Sequence, residues 1–133
     1  MLANYLQVSV FNSLFVTSVL TDPHLPDILA NLKYQLKRNY NLLVEAFQEW
    51  AVDFLPTTAG FHVYARLAKT AQSWDAEAYA AKQLLDLGVM ITPGKSFGGI
   101  DGEVGWFRIS FSVTEEKLKI GIERIGKVLS LLT

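Results

Sequence analysis

The longest periodic pattern in the sequence runs from Asp22 to Ala51 and predicts a single amphipathic helix. Its apolar residues recur at spacings of three and four, as on a helix that buries one face: Leu25, Leu29, Leu32, Leu36, Tyr40, Leu43, Phe47 and Trp50. Asp22 and Pro23 suit its start, because Asp is a good N-cap and Pro fits the first helical position. Such a helix would be roughly 40 Å long, whereas a compact domain of this size is about 35 Å across. We therefore expect the helix to extend beyond its domain and to lie against something else.

The first 21 residues carry no charge, and 13 of them are apolar. Eight polar residues are spread through the run, which makes it too polar for a membrane span of about 20 mostly apolar residues. A signal peptide would have a basic start and an unbroken apolar centre, and neither is present. A helix that is apolar nearly all round must be buried on most sides. We interpret residues 1–21 as an interface or inter-domain helix, formed by residues 2–20.

The composition limits the classes of function that remain. A chain of 133 residues suits one domain, and half of its residues are hydrophobic, so part of its surface is expected to be covered by a partner. The net charge of −1, without a basic cluster, argues against a nucleic-acid partner. The absence of cysteine excludes disulfides, zinc–thiolate sites and a cysteine nucleophile, and is compatible with the cytoplasmic location that we expect.

Two strands are predicted after the long helix. Residues 53–55 form a short strand before Pro56, and a turn at Ala59-Gly60 leads into a strand over residues 61–67. The second strand alternates, with Phe61, Val63, Ala65 and Leu67 on one face and His62, Tyr64 and Arg66 on the other. This alternation is typical of a half-buried, antiparallel strand.

A third helix is predicted over residues 74–87. Ser73 can cap it, and Asp75 and Glu77 are favourable in its first turn. Gly88 ends it. Its predicted apolar stripe is Ala76, Tyr79, Ala80, Leu84 and Leu87.

Two further strands and a last helix complete the predicted fold. A short apolar strand from Gly88 ends at Pro93-Gly94, and a second strand covers residues 105–112. Thr114 caps the last helix, with Glu115 and Glu116 at its positive end and Leu118, Ile122, Ile125, Leu129 and Leu132 facing the core. This order predicts an α+β domain of two layers, with a small mixed or antiparallel sheet covered on one face by helices.

The strand over residues 105–112 presents one arginine. Alternation places Phe107, Ile109 and Phe111 on one face and Trp106, Arg108, Ser110 and Ser112 on the other. A planar guanidinium matches two carboxylate oxygens at once, so Arg108 is a candidate carboxylate ligand. From the residues alone, an exposed arginine in a surface ion pair is the alternative.

The same region resembles the end of the class I/II aminotransferases, which are fold-type I enzymes that use pyridoxal phosphate. The resemblance lies in Val89-Met90-Ile91-Thr92-Pro93-Gly94-Lys95-Ser96-Phe97 and, after a short gap, Gly105-Trp106-Phe107-Arg108-Ile109-Ser110-Phe111. Pro-Gly-x-Ser-Phe and Gly-Trp-Phe-Arg are most similar to 1-aminocyclopropane-1-carboxylate synthase and its relatives. Ala59-Gly60-Phe61 also matches the residues with which the family opens the strand that is predicted here over residues 61–67.

This resemblance runs from about Val8 onward and corresponds to the family's last third. It implies that residues 22–133 form a C-terminal small domain that includes the long connecting helix, residues 23–51. It also implies that Arg108 binds the α-carboxylate of an amino-acid substrate and that Phe97 lines the site.

The resemblance does not extend to the family's cofactor site. Pyridoxal phosphate needs a Schiff-base lysine in a Ser-x-x-Lys setting, an Asp for the pyridinium nitrogen, and phosphate ligands. No lysine here has that setting; the eight are Lys33, Lys37, Lys69, Lys82, Lys95, Lys117, Lys119 and Lys127. We therefore predict no catalytic or cofactor-binding residue in this chain and no stably bound cofactor in the chain alone. The chain is then a fragment, a truncated gene product or one part of a split enzyme.

Other candidate sites are weaker. His24 and His62 are about forty residues apart in the sequence, so a metal or acid–base pair is not expected. The glycine-rich run over residues 98–102 resembles a phosphate loop only in composition and is interpreted as a flexible hairpin. Lys95 is better explained by a solvated loop than by an anion site, and from the residues alone Trp106 and Phe97 fit the core better than the wall of a ligand site.

Two functions remain open. The chain is either the carboxylate-binding part of a pyridoxal phosphate enzyme, completed by a missing large domain or homologous subunit, or a non-catalytic module that pairs through its apolar N-terminal helix. A homo-oligomer is expected in either case.

Overall fold

The computed structural model describes residues 9–99 and 102–132, without the side chains of the last two of these, and its elements follow the predicted order. Four strands form one sheet in the order β1-β2-β4-β3, and every neighbouring pair is antiparallel. This confirms an α+β fold. The elements are α1 (Val10–Leu20), α2 (Leu25–Glu49), β1 (Phe54–Leu55), β2 (His62–Ala65), α3 (Trp74–Asp86), β3 (Thr92–Pro93), a 3-10 helix (Gly94–Phe97), β4 (Phe107–Ser110) and α4 (Glu115–Leu132).

The chain divides into two compact units, Met1–Gln35 and Leu36–Thr133, with the division inside α2. The first contains α1, whose described residues are all exposed; residues 2–8 of the predicted interface helix lie outside the described part. The boundary predicted at residue 21 stays a prediction. No described helix combines the length and the hydropathy that crossing a membrane requires.

The hydrophobic core lies on one face of β2 and β4. Val63 pairs with Ile109 and Ala65 with Phe107, and all four side chains are buried. This confirms the predicted alternation of both strands, except at Phe61, which is half exposed because it precedes the sheet. Helix residues complete the core: Leu43 and Phe47 from α2, Ala80 and Leu84 from α3, and Leu118, Ile125 and Val128 from α4.

Helix α2 starts at Leu25, two residues later than predicted. The Asp22 carboxylate accepts a hydrogen bond from the backbone N–H of His24, at 2.8 Å, so Asp22 closes a turn before the helix. Within α2, the buried Asn39 side chain donates to the carbonyl oxygens of Phe111 (2.9 Å) and Val113 (2.7 Å). These two bonds attach the helix to the chain that leaves β4.

Helix α3 has the predicted cap, because Ser73 Oγ accepts a hydrogen bond from the backbone N–H of Ala76 at 3.2 Å. Two residues of its predicted apolar stripe, Tyr79 and Leu87, are exposed instead. The buried face is defined by Glu77, Ala80 and Leu84, at spacings of three and four. The buried face of α3 therefore includes the carboxylate of Glu77, which the predicted apolar stripe does not contain.

Strand β3 is much shorter than predicted, because the chain after α3 is used to end that helix. The N–H groups of Gly88 and Val89 donate to the carbonyls of Leu85 and Leu84, both at 2.8 Å. Gly88 has φ +76°, the left-handed conformation that suits a helix C-terminus of this kind. Only Thr92 and Pro93 then pair with β4.

Helix α4 begins after Thr114, whose Oγ1 accepts a 3.4 Å hydrogen bond from the backbone N–H of Lys117, as the predicted cap requires. At its start, Glu115 forms ion pairs with Lys119 on the same helix (2.7 Å) and Arg38 on α2 (2.9 Å). These ion pairs link the start of α4 to α2.

Candidate functional site

Arg108 lies in the middle of the sheet, on the face away from the core. It is opposite Tyr64 on β2 and opposite Thr92 on β3. Residues directly opposite one another in an antiparallel sheet share a face, so all three belong to the surface opposite the apolar layer. All three are partly buried. A strand paired on both sides is a rigid support for a binding group.

Phe97 covers the guanidinium of Arg108. The 3-10 helix turns back over the sheet, and the Cζ atom of Arg108 lies 4.5 Å from the centroid of the Phe97 ring. The ring of Tyr64 meets the same ring edge-on, with centroids 5.9 Å apart. The two candidate site residues, Arg108 and Phe97, are therefore in contact, although the sequence places them on different elements.

The Arg108 guanidinium has no hydrogen bond or ion pair with any residue that the structure describes, and its Nε is a buried atom without a partner. An unpaired buried donor costs free energy, of the order of 1–3 kcal/mol for a typical group. Burial raises the pKa of the neighbouring Tyr64 and the charge of Arg108 lowers it, so the two side chains interact electrostatically. The site thus contains a fixed positive charge that lacks a described anion.

A second arginine on this side of the sheet is already paired. Arg66 forms a 3.3 Å ion pair with Glu103, and the same carboxylate oxygen accepts a 3.1 Å hydrogen bond from Trp106 Nε1. Trp106 is buried. Arg66 is therefore held by the loop before β4 through its Nη1 atom, although its Nε, like that of Arg108, is buried without a described partner. What distinguishes Arg108 is that its guanidinium has no described anion at all.

The other candidates of the sequence do not join this site. His24 is exposed and paired with Asp22, His62 is exposed, and the Lys95 side chain is exposed. Among the described residues, no group of three His, Cys, Asp or Glu side chains is placed to hold a metal ion.

A separate groove of about 450 Å³ runs between the segment after α3 and helix α4. Arg108 and Phe97 do not line it. The residues that line it are mainly aliphatic, and its two cationic residues, Lys117 and Arg124, are exposed. It lacks the shielded polar group that a small-anion site needs, so the candidate site is the Arg108 face.

Two residues that shape the site are not identified by the sequence pattern. Alternation assigns Tyr64 only to the polar face of its strand, because the pairing register with β4 is not visible in a sequence. For Glu77 the pattern indicates only an acid that is favourable at a helix start. Its spacing to Ala80 and Leu84, three and then four residues, is the signal that could have identified it as buried.

Comparison with known proteins agrees with the fold and the motifs. The family model "Aminotransferase class I and II" matches residues 2–125. The probable aminotransferase gliI of Aspergillus fumigatus is 32% identical over 98% of this chain and 31% of its own length. The 1-aminocyclopropane-1-carboxylate synthase-like protein 1 of Mus musculus is 32% identical over 71% of this chain and 19% of its own length.

The fold of this chain is also similar to that of solved aminotransferases. An aromatic aminotransferase from Pyrococcus horikoshii superposes with a TM-score of 0.73 over 86% of this chain and 29% of that one, at 22% identity. The chain spans less than a third of the length of these relatives: 30% for the probable aminotransferase aclI of Aspergillus oryzae, 31% for gliI and 19% for the 1-aminocyclopropane-1-carboxylate synthase-like protein 1. Since the family model covers nearly the whole sequence, this chain belongs to the class I and II aminotransferase family.

Proposed function

We propose that this chain is the C-terminal, carboxylate-binding part of a pyridoxal phosphate-dependent enzyme that acts on an amino acid. The parent reaction is transamination or the lyase reaction of a 1-aminocyclopropane-1-carboxylate synthase-like enzyme. The observation that carries the proposal is Arg108, a partly buried guanidinium without an anionic partner among the described residues, packed under Phe97.

The geometry suits a carboxylate for two reasons. The guanidinium presents parallel N–H donors that match both oxygens, and charge-assisted bonds of this kind are roughly twice as strong as neutral ones. Phe97 packs against the guanidinium, with its ring centroid 4.5 Å from Cζ, and shields the charge on that side. Binding there would fix the orientation of the amino acid, which is how a positioned substrate lowers the barrier of a later step.

Members of this family use pyridoxal phosphate, which acts as an electron sink at the substrate's Cα. The residues of this chain do not fit its attachment. A Schiff-base lysine needs a neutral amine in a shielded site, whereas all eight lysines here are exposed. We therefore propose that the chain is catalytically incomplete alone and acts with a large domain or a homologous subunit. We propose a cytoplasmic location for this enzyme.

This part of the proposal has a direct test. Purified chain is mixed with pyridoxal phosphate, dialysed, and examined for an imine absorbance. We expect none at stoichiometric level. Borohydride reduction that labels a single lysine in stoichiometric yield would show that the chain holds the cofactor itself.

The carboxylate site is tested in the chain alone by NMR. Isotope-labelled protein is titrated with acetate against chloride of equal ionic strength, following the backbone N–H signals of residue 108 and Phe97, which remain present in the Arg108→Lys variant. We expect a saturable shift, and at least about tenfold weaker acetate binding in Arg108→Lys, about 1.4 kcal/mol, because lysine keeps the charge but loses the fork. Arg38→Lys changes an exposed ion pair and is the matched control. Equal acetate affinity of the wild type and Arg108→Lys would contradict the proposal.

The second function, an interaction module, is favoured by one observation on α1. Seven of its large apolar side chains are 43–83% exposed: Val10, Phe11, Leu14, Phe15, Val16, Val19 and Leu20. Burial of such side chains is worth about 1.5–3 kcal/mol each. We propose that α1 pairs with a second copy or with a full-length homologue.

Sedimentation equilibrium tests this pairing. The weight-average mass should rise with concentration in the wild type and fall to that of a monomer when Phe11 and Phe15 are both replaced by Glu. A monomer mass at every concentration would count against self-association.

A further inference from the structure

The carboxylate of Glu77 lies in the interior of the protein, although it belongs to the first turn of α3. The residue is 0% exposed. Its Oε1 accepts a 2.9 Å hydrogen bond from the backbone N–H of Lys95, and its Oε2 accepts a 2.7 Å hydrogen bond from the backbone N–H of Gly105. Burying a carboxylate is costly, so a fully buried one with both oxygens hydrogen-bonded has a defined structural task.

The two N–H groups belong to the opposite ends of one connection. Lys95 lies in the 3-10 helix, two residues before Phe97. Gly105 lies three residues before Arg108, where the chain enters β4. The Glu77 side chain therefore fixes both the segment that carries Phe97 and the segment that leads into β4, the strand of Arg108.

Other contacts between α3 and this connection are consistent with that task. The backbone of Gly99 packs against the Trp74 ring, since a Cβ on Gly99 would lie 2.8 Å from the ring's Cη2. Gly94 also donates a 2.7 Å hydrogen bond to the Trp106 carbonyl. That bond joins two loop segments to each other, whereas Glu77 joins both to a helix that is anchored in the core.

We propose that Glu77 is a positioning residue for the carboxylate site, which holds the 3-10 helix and the start of β4 at the distance that keeps Phe97 against Arg108. This inference rests on the proposed function of Arg108 for its meaning, but its geometry can be tested separately. Glu77 does not touch the ligand in this scheme. It acts through the backbone of Lys95 and Gly105.

Two substitutions separate positioning from a general need for charge. Glu77→Gln keeps the length of the side chain but presents an amide N–H₂ to one of the two donors, so one bond is lost. Glu77→Asp keeps the charge but is one methylene shorter, so it cannot reach both N–H groups. If Glu77 acts by spanning, neither variant restores the site. Asp75→Asn removes one negative charge from the exposed surface of the same helical turn and is the control.

The experiment uses the isotope-labelled chain and two NMR readouts. The first is amide hydrogen exchange at Lys95 and Gly105 relative to Ile109 in the core. The second is the ring-current shift that Phe97 imposes on the Arg108 side-chain protons, with Phe97→Leu as the zero reference. Acetate affinity, measured as for the carboxylate proposal, is recorded in parallel.

We expect exchange at Lys95 or Gly105 to become about tenfold faster or more in both Glu77 variants, because a hydrogen bond to a charged group is lost. Exchange at Ile109 should change much less, and the Phe97 ring-current shift should decrease toward that of Phe97→Leu. Asp75→Asn should leave both readouts unchanged. If Glu77→Gln does not fold, Glu77→Asp carries the test.

Two results would overturn the inference. One is a full Phe97 ring-current shift in both Glu77 variants; the other is exchange that accelerates equally at Ile109, Lys95 and Gly105, which would mean that Glu77 only stabilises the fold. A wild-type chain that binds no acetate contradicts the carboxylate proposal instead. The exchange and ring-current results then still decide whether Glu77 positions Phe97.

Discussion

Gly105 is the position where a single added methyl group should disturb this structure most. Its backbone has φ +90°, and a Cβ built on it would lie 2.1 Å from the carbonyl oxygen of Ala68 and 2.9 Å from the carbonyl carbon. Both atoms are backbone, so no side-chain rotation can relieve the contact. Gly60 has the same φ of +90° but no described atom within 4 Å of its Cβ position. Gly60→Ala is therefore a control with the same backbone strain and no collision.

The two substitutions should differ by the cost of the collision. A left-handed alanine costs about 1–2 kcal/mol, partly offset by about 0.4–1 kcal/mol because alanine restricts the unfolded chain. At Gly105 the chain must also move away from Ala68, which breaks the 3.2 Å hydrogen bond from the Ala68 N–H to the Gly105 carbonyl. The same movement strains the 2.7 Å bond from Gly105 N–H to Glu77. Neutral hydrogen bonds contribute about 1 kcal/mol and those to charged groups about 1.5–3 kcal/mol.

We therefore expect Gly105→Ala to lower the free energy of unfolding by about 3–5 kcal/mol and Gly60→Ala by about 1 kcal/mol. The measurement is urea unfolding followed by circular dichroism, with the midpoint and the slope fitted separately so that a change in the unfolded state is recognised. A Gly105→Ala protein within 1 kcal/mol of Gly60→Ala would refute the reasoning, since the segments of Gly105 and Ala68 would then separate at little cost.

Three further predictions follow from buried or charged contacts. Asn39→Ala should lower the free energy of unfolding by about 2–3 kcal/mol, because two carbonyls lose their donor, whereas the exposed Asn41→Ala should change it by less than about 0.5 kcal/mol; similar urea midpoints would contradict this. The hydrogen bond from Lys119, together with a nearby arginine, lowers the pKa of Glu115, so this carboxylate stabilises the fold above its unfolded pKa and loses that effect as the pH falls through its folded pKa. Glu115→Gln should therefore lose less stability than the wild type between pH 7 and acid, as measured by thermal unfolding at several pH values. Arg108→Gln should raise the pKa of Tyr64 further, because the arginine charge lowers it; a ¹³C-tyrosine pH titration with an unchanged or lower pKa would show that the two side chains do not interact.

The elements that the sequence predicted well are those in which one local rule decides the structure. Strand alternation alone placed Arg108 opposite the core face, and the buried Phe107 and Ile109 confirm that placement. The caps at Ser73 and Thr114 were correct because capping involves only residues three apart in the chain. The α+β class followed from the order of such elements.

The errors concern contacts between distant segments. Tyr79 and Leu87 fit a helical stripe equally well whether or not a neighbour covers them, and the structure leaves both exposed. Glu77 is the converse, a charged residue made buriable by two N–H groups that lie 18 and 28 residues further along the chain. No local pattern contains that information, because the donors are provided by the tertiary fold.

The pairing of β4 with β2 has a consequence for insertions and deletions. Val63 opposite Ile109 and Tyr64 opposite Arg108 set a two-residue repeat, in which neighbours face opposite sides of the sheet. Losing or gaining one residue within β4 would turn Arg108 toward the apolar layer and expose Phe107 or Ile109 to water. The carboxylate site and the core would then be disrupted by the same change. Insertions and deletions at this end of the domain should therefore be confined to the connection before Gly105. An added residue there need not exchange the two faces of β4.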